Sequence, residues 1–326
     1  MHAICTENLG RVYKTTTGII HRKTKDIVAL DGVDLSVQAG ELFGLLGPNG
    51  AGKTTITRIL STVLLPSFGT AKVFGLDVVK DAKEIRPRIG IVFGGERGLY
   101  WRLSGRENLY YFADLYKMHP SVSKKRVPEL LELVGMTDRA DERVEGYSRG
   151  MKQRMHIARG LIHDPEILFL DEPTIGLDPL AARELRQVVG NLKKAGKTIF
   201  LTSHYMFEID ALCDRVAVLS KGKILVVDTP SALKQVVTNL EVVEIECYGV
   251  SSPIISKLRE HPCVESVNVE VLAQTQLLQI QAPVGTELVQ EFLSILNGVQ
   301  VRRVITRQPT LEDAYIKLVG IDSMRA

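Results

Sequence analysis

The chain has 326 residues, 24% of them charged and 45% hydrophobic, with a formal net charge of +3. That length suffices for two domains with cores of their own, and so small a charge gives no case for nucleic acid as a partner. No apolar stretch approaches the roughly 18 residues of a membrane span, and the start Met1-His2-Ala3-Ile4-Cys5-Thr6-Glu7 lacks the parts of a secretory signal.

In chain order, Leu9 to Tyr13 and Ile27 to Val37 read as strands of an N-terminal sheet. Between them the Thr-rich, basic stretch Lys14 to Asp26 reads as a solvated hairpin loop. Leu42 to Leu46 is an apolar run with the character of a buried strand. It leads into Gly47-Pro48-Asn49-Gly50-Ala51-Gly52-Lys53-Thr54, which fits G-x-x-x-x-G-K-[ST], a phosphate-cradling loop. Thr55 to Leu60 then reads as a helix. Strand, glycine loop and helix are the context this motif requires. Glycines let the backbone approach phosphate without a Cβ in the way. The helix start adds unpaired N–H groups and partial positive charge. Lys53 is placed to reach the terminal phosphates and the Thr54 hydroxyl to hold Mg2+.

Residues 42 to 93 alternate strand, helix and strand, as an α/β nucleotide fold does. The pattern turns helical over Glu107 to Lys117, Ser123 to Val134 and Gly150 to Ile162, a helical block inserted into the α/β core. Parallel-strand signals return at Ile167 to Leu170, Thr198 to Thr202 and Arg215 to Leu219, and Lys221-Gly222 marks a hairpin. Thr229-Pro230 is the boundary of a second domain. Its order is strand 242–249, helix 252–260, strand 264–272, strand 276–282, helix 286–296 and strand 299–306, closed by a helix from Leu311 to Val319. β-α-β-β-α-β is a ferredoxin-like arrangement. Glu241, Glu244 and Glu246 on its first strand read as a solvated face. Cys5, Cys213, Cys247 and Cys263 show no metal-ligand spacing and are expected as free thiols of a reducing cytosol.

Three further features carry chemistry. Ile167-Leu168-Phe169-Leu170-Asp171-Glu172 is an apolar strand ending in two carboxylates, where open α/β sheets bind ligands. Asp171 suits Mg2+, and Glu172 suits polarisation of the water that attacks the terminal phosphate. Tyr147-Ser148-Arg149-Gly150-Met151 opens a helix and forms another anion site; a plain helix cap is the bland alternative. His204, after the strand 198–202, lies where it can donate a hydrogen bond to the same phosphate.

Taken together, residues 4 to 229 resemble the ABC-type ATPases, the nucleotide-binding subunits of ABC transporters. Gly47 to Thr54 resembles the Walker A loop, Asp171 the Walker B aspartate and Glu172 the catalytic glutamate. Tyr147 to Met151 resembles the signature loop, Ile175-Gly176-Leu177-Asp178 the D-loop and His204 the switch histidine. Tyr13 matches the aromatic that stacks on adenine. The resemblance implies a P-loop α/β core with an N-terminal antiparallel sheet, a helical subdomain over about 95–165 and an accessory, regulatory C-terminal domain over 230–326. It implies ATP and Mg2+, with catalysis by Lys53, Glu172 and His204, metal contacts at Thr54 and Asp171, and nucleotide contacts at Tyr13, Gly47, Pro48, Asn49, Gly50, Ala51, Gly52, Lys53, Thr54, Thr55, Ser148, Gly150 and Asp178. Two cassettes, identical or different, meet head to tail, with ATP on Lys53 of one facing Ser148 of the other. A separate transmembrane permease completes the assembly on the cytoplasmic face of the membrane. Gly98-Leu99-Tyr100-Trp101-Arg102-Leu103 stands where the family receives the permease's coupling helix.

Two departures stand out. The signature reads Tyr-Ser-Arg-Gly-Met in place of Leu-Ser-Gly-Gly-Gln, and no Gln occurs between Gln38 and Gln153 to serve as the Q-loop residue. Glu96 is the nearest carboxylate substitute. The tail Pro309-Thr310-Leu311-Glu312-Asp313-Ala314-Tyr315 resembles the end of antibiotic- and drug-exporter ATPases. Export is therefore expected. An importer ATPase with a substrate-sensing C-terminal domain, a soluble ABC ATPase acting on ribosomes or DNA, and a non-hydrolysing scaffold are the alternatives.

Overall fold

The structure, a computed structural model, describes residues 2–17, 23–94, 98–237, 240–283 and 287–325. The chain divides into two compact units, Met1–Thr229 and Pro230–Ala326.

The first unit opens with two long antiparallel strands, β1 (His2–Thr17) and β2 (Lys23–Gln38). Of the expected loop from Lys14 to Asp26, residues 14–17 and 23–26 are strand, with Thr15 paired to Lys25, Thr16 to Thr24 and Thr17 to Lys23, and residues 18–22 lie outside the described residues. β-Branched threonine suits a pleated ribbon, and a wholly polar ribbon has no hydrophobic alternation to betray it. Next come β3 (Leu42–Leu46) and α1 (Lys53–Leu60). The chain then returns to the first sheet as β4 (Phe68–Val73) and β5 (Leu76–Asp77), giving the order β2-β1-β4-β5. A short α2 (Ala82–Ile85) precedes β6 (Ile89–Phe93). The helical block consists of α3 (Gly105–Leu115), α4 (Pro120–Leu133) and α5 (Arg149–Gly160). Ser104 starts α3 with a reciprocal capping box to Glu107.

After the block follow β7 (Ile167–Asp171), α6 (Pro179–Lys194), β8 (Thr198–Ser203), α7 (Met206–Leu212), β9 (Arg215–Ser220) and β10 (Lys223–Asp228). They form a sheet of order β10-β9-β3-β8-β7-β6, parallel except for β10. Every residue of β3, β7 and β8 is buried, as expected of central strands covered on both faces. Phe43, Phe200 and Phe169 stand in register across these three strands. Their rings pack at centroid distances of 5.9 and 5.7 Å.

The second unit runs α8 (Pro230–Gln235), β11 (Leu240–Tyr248), α9 (Ser252–Arg259), β12 (Ser266–Val271), β13 (Gln276–Pro283), α10 (Glu287–Ile295), β14 (Gln300–Arg307) and α11 (Leu311–Arg325). The sheet order β12-β13-β11-β14, antiparallel throughout, is the ferredoxin-like one. Val243, Ile245 and Cys247 of β11 join the core with Leu258 of α9 and Phe292 of α10. The acidic face of β11 is not simply solvated. Glu244 binds Arg307 Nε at 2.7 Å and Glu246 binds Arg302 Nη1 at 2.7 Å. Arg307 also grips Asp313, which accepts from both the backbone and the hydroxyl of Thr310. The tail motif is thus a helix start locked onto the edge strand. Among the described residues no helix is long and apolar enough to cross a membrane.

His156 on α5 is 1% exposed, and neither ring nitrogen has a hydrogen-bond partner. Burial, helped by the Arg159 charge, pushes its pKa down from 6.5 to about 4. The folded state then binds fewer protons than the unfolded chain between those values. Stability is full above pH 6.5 and falls as pH drops through the window. We expect about 2 kcal/mol to be lost from this group between pH 7 and 5. Urea unfolding of His156→Leu should show a correspondingly flatter pH dependence; parallel curves for the two proteins would contradict it.

Candidate active site

Register brings the C-terminal ends of three neighbouring strands together. Leu46 of β3 lies opposite Ser203 of β8, and Asp171 of β7 lies opposite Thr202. From the end of β3 the backbone turns through residues 47–52 into α1. Gly52 sits at the turn with φ +112°, and a Cβ there would come within 2.6 Å of the Ala29 carbonyl oxygen. Neither the conformation nor the space admits a side chain. The β9–β10 turn braces the loop from behind. Gly222 N–H donates to Ala51 O at 3.1 Å and Asp31 N–H to Gly222 O at 2.9 Å. Lys221 and Gly222 both have positive φ, as a tight two-residue hairpin turn demands.

In front of the loop is a cavity of about 290 Å³, lined by Ala29, Asn49, Gly50, Gly52, Lys53, Thr54, Thr55 and Glu172. Lys53 is only 5% exposed; its Nζ donates to Gly47 O at 2.7 Å and Pro48 O at 3.1 Å. The same ammonium stands 3.0 Å from Glu172 Oε1. The other oxygen of Glu172 is 3.3 Å from His204 Nδ1. Thr54 Oγ1 donates to Asp171 Oδ2 at 2.9 Å, and Thr202 Oγ1 donates to Asp171 Oδ1 at 2.5 Å. Glu172 has a left-handed backbone with φ +49°, uncommon outside glycine. Lys53, Thr54, Asp171, Glu172 and His204, scattered over some 150 positions of sequence, thus form one connected group.

Other expected residues lie elsewhere. Ser148 caps α5 by accepting from Met151 N–H at 3.2 Å, and Asp178 caps α6 by accepting from Ala181 N–H at 2.9 Å. A Cβ on Gly150 would fall 2.6 Å from the Ala181 Cβ, so the starts of α5 and α6 touch. The Arg149 guanidinium lies near Gly176. None of Ser148, Gly150 and Asp178 lines the cavity around Lys53. Nor does Tyr13, which sits on β1 opposite Ile27 with the Arg11 guanidinium 4.8 Å from its ring centre. At the Q-loop position β6 ends in Phe93, and Gly94 N–H donates to Asp171 O at 2.9 Å. Glu96 lies outside the described residues.

Sequence reasoning missed Ala29 and, at Thr202, the bonds to Asp171 and Glu172. Nothing in the sequence marks Ala29, whose role comes from β2 passing beside Gly52. Thr202 did leave a signal: a polar residue following the apolar run Ile199-Phe200-Leu201 in a fully buried strand needs a partner.

The ABC transporter family profile matches residues 30–175. The ABC transporter ATP-binding protein NatA of Bacillus subtilis is 45% identical over 203 residues, covering 62% of this chain and 82% of that protein. This chain belongs to the ABC transporter ATP-binding proteins. A daunorubicin resistance ATP-binding protein of Streptomyces coeruleorubidus is 37% identical over 297 residues, covering 90% of each chain, so that match runs into the second unit. Among solved structures, a dimeric ATP-binding cassette bound to ADP and Pi is 25% identical with a TM-score of 0.61, covering 69% of this chain and 98% of that one. As an ABC ATP-binding protein this chain binds ATP and is an ATPase on a P-loop core.

Among the described residues Lys53 is the only cation lining the cavity. Charge-assisted hydrogen bonds are worth roughly 1.5–3 kcal/mol each. Lys53→Ala should therefore weaken ATP binding by about a hundredfold or more in titration calorimetry, and an unchanged affinity would reject the role given to Lys53.

Proposed function

We propose that this chain is the energy-supplying subunit of an exporter, seated as a peripheral subunit on the cytoplasmic face of a membrane. The hydrolytic half of this reading is carried by Glu172, which stands between Lys53 and His204. A triphosphate entering the cavity competes with Glu172 for Lys53. Released from that pair, Glu172 is free to polarise a water, and His204 can donate to the terminal phosphate. Thr54 and Asp171 offer a hydroxyl and a carboxylate oxygen 2.9 Å apart, hard oxygen donors that suit Mg2+. Among the described residues no group of three or more His, Cys, Asp or Glu could hold a metal alone. A cation shared with phosphate and water fits that incomplete set. Bound there, Mg2+ would neutralise charge on the phosphate oxygens.

The second set of anion-binding groups points to a paired assembly. Ser148 and Gly150 head a helix yet do not line the chain's own cavity. In a head-to-tail pair, identical or mixed, they would close on the partner's nucleotide, and a two-fold arrangement satisfies both sites at once. ATP binding then favours closure because only the closed pair supplies donors to both sides of the triphosphate. Glu172→Gln should keep ATP affinity, slow phosphate release by about a hundredfold or more and accumulate a Mg-ATP-dependent dimer in size-exclusion chromatography. Turnover at the parent rate would refute the role of Glu172.

Coupling requires a docking surface. A groove of about 760 Å³ runs between the sheet and the helical block, its lining including Ile91, Phe112 and Leu115 and the cations Arg86, Lys117 and Arg159. Beside it, buried Asn108 pins the loop from Gly98 to Leu103, accepting from Tyr100 N–H at 2.7 Å and donating to Tyr100 O at 3.0 Å. Trp101 stays 64% exposed on this fixed loop. An amphipathic helix of the permease with an acidic edge suits such a groove. The daunorubicin resistance relative matches both units, which supports outward transport of a small molecule. Trp101→Ala should lower copurification of the membrane subunit about fivefold or more without changing the melting temperature. Full copurification would remove this loop from the docking surface.

A further inference from the structure

We propose that Thr202, inside β8, is a positioning residue that ties the two carboxylates of the ATPase site to each other. This rests on the roles given above to Asp171 and Glu172. Thr202 is completely buried, and its hydroxyl is used twice. It donates to Asp171 Oδ1 at 2.5 Å and accepts from the Glu172 N–H at 3.1 Å. The Glu172 N–H is shared with the Thr202 carbonyl oxygen at 3.0 Å.

Each bond fixes something the chemistry needs. Asp171 Oδ2 is held by the Thr54 hydroxyl and Oδ1 by Thr202, so the carboxylate plane is set by one hydroxyl on each oxygen. Rotation of that plane would turn its oxygens away from the phosphate side. Glu172 occupies the left-handed region at φ +49°, a conformation that persists only where the surroundings impose it. Both acceptors of its N–H belong to Thr202. One hydroxyl therefore sets the plane of the metal-side carboxylate and, together with the carbonyl of its own residue, the backbone from which the water-polarising carboxylate projects. Threonine suits the task because β-branching restricts χ1 in a strand and aims the hydroxyl. Serine can make the same bonds less rigidly. Valine fills the same space and makes neither hydroxyl bond, keeping only the carbonyl bond to the Glu172 N–H.

The test compares Thr202→Val, Thr202→Ser and Glu172→Gln in the full chain. Steady-state phosphate release is measured over ATP and Mg2+ concentration, with ATP affinity in EDTA and melting temperature measured alongside. We expect Thr202→Val to keep its fold and bind metal-free ATP within about threefold of the parent. Its kcat should fall about tenfold or more, and half-maximal rate should need several times more Mg2+. Thr202→Ser should recover most of the rate and the parent's Mg2+ requirement. Thr202→Val with kcat and Mg2+ requirement both within twofold of the parent would overturn the proposal. So would equal losses of ATP affinity and melting temperature in the Val and Ser variants, which a purely structural residue predicts. If Glu172→Gln turns over at the parent rate, the assignment of Glu172 itself fails. If Glu172→Gln is inactive while Thr202→Val is normal, only the inference about Thr202 fails.

Discussion

Phosphate chemistry in this protein depends on the register of three parallel strands. β3 brings the glycine loop, β7 the two carboxylates and β8 the hydroxyl and the histidine. Side chains alternate faces with a period of two, so a slip of one residue would turn Thr202 away from Asp171. What opposes the slip is the layer of Phe43, Phe200 and Phe169, paired in register in mid-strand and almost fully buried. The packing of three aromatic rings thereby fixes where oxygen atoms sit at the strand ends. Core and active site are one mechanical object.

Much of this was legible in the sequence because the phosphate-binding elements are local. A glycine loop between a strand and a helix shows its purpose within a dozen residues, and so does an apolar strand ending in Asp171-Glu172. Long-range partnership was not legible. The bond from Thr202 to Asp171 spans 31 positions and the bond from Thr54 to Asp171 spans 117, and neither leaves a periodic trace. The outer end of the N-terminal ribbon, residues 14–17 and 23–26, escaped for the opposite reason: it is local, but a sequence polar throughout lacks the alternation that identifies a half-buried strand. In the second unit the strand order was readable from the pattern, while the uptake of Glu244 and Glu246 by Arg307 and Arg302 was not. Ion pairing depends on which strands become neighbours, and charge spacing along one strand is silent on that.

The two departures from the family pattern bear differently on the chemistry. At the signature, Ser148 keeps its capping hydroxyl, and Gly150 is required by Ala181 whatever becomes of the nucleotide. That contact joins the starts of α5 and α6, so Ser148 and Asp178 share one foundation. The altered neighbour Arg149 is directed toward Gly176, within this same junction. At the Q-loop position the backbone is held by the Gly94 bond to the Asp171 carbonyl. The strand carrying Asp171 is thus fastened directly to the segment that leads toward the loop from Gly98 to Leu103.

Helix α5 has a property that follows from its two ends. It begins at Ser148 and Gly150, and on its last turn Arg159 donates to the Gly98 carbonyl at 2.8 Å and packs against the Phe112 ring. Twelve residues of helix span about 18 Å, and a helix is stiff along its axis. A push applied at Ser148 would therefore reach the aromatic loop as displacement, with little lost to bending. Helix α5 can in this way act as a connecting rod, with one bearing at its Ser148 cap and the other at the Gly98 carbonyl.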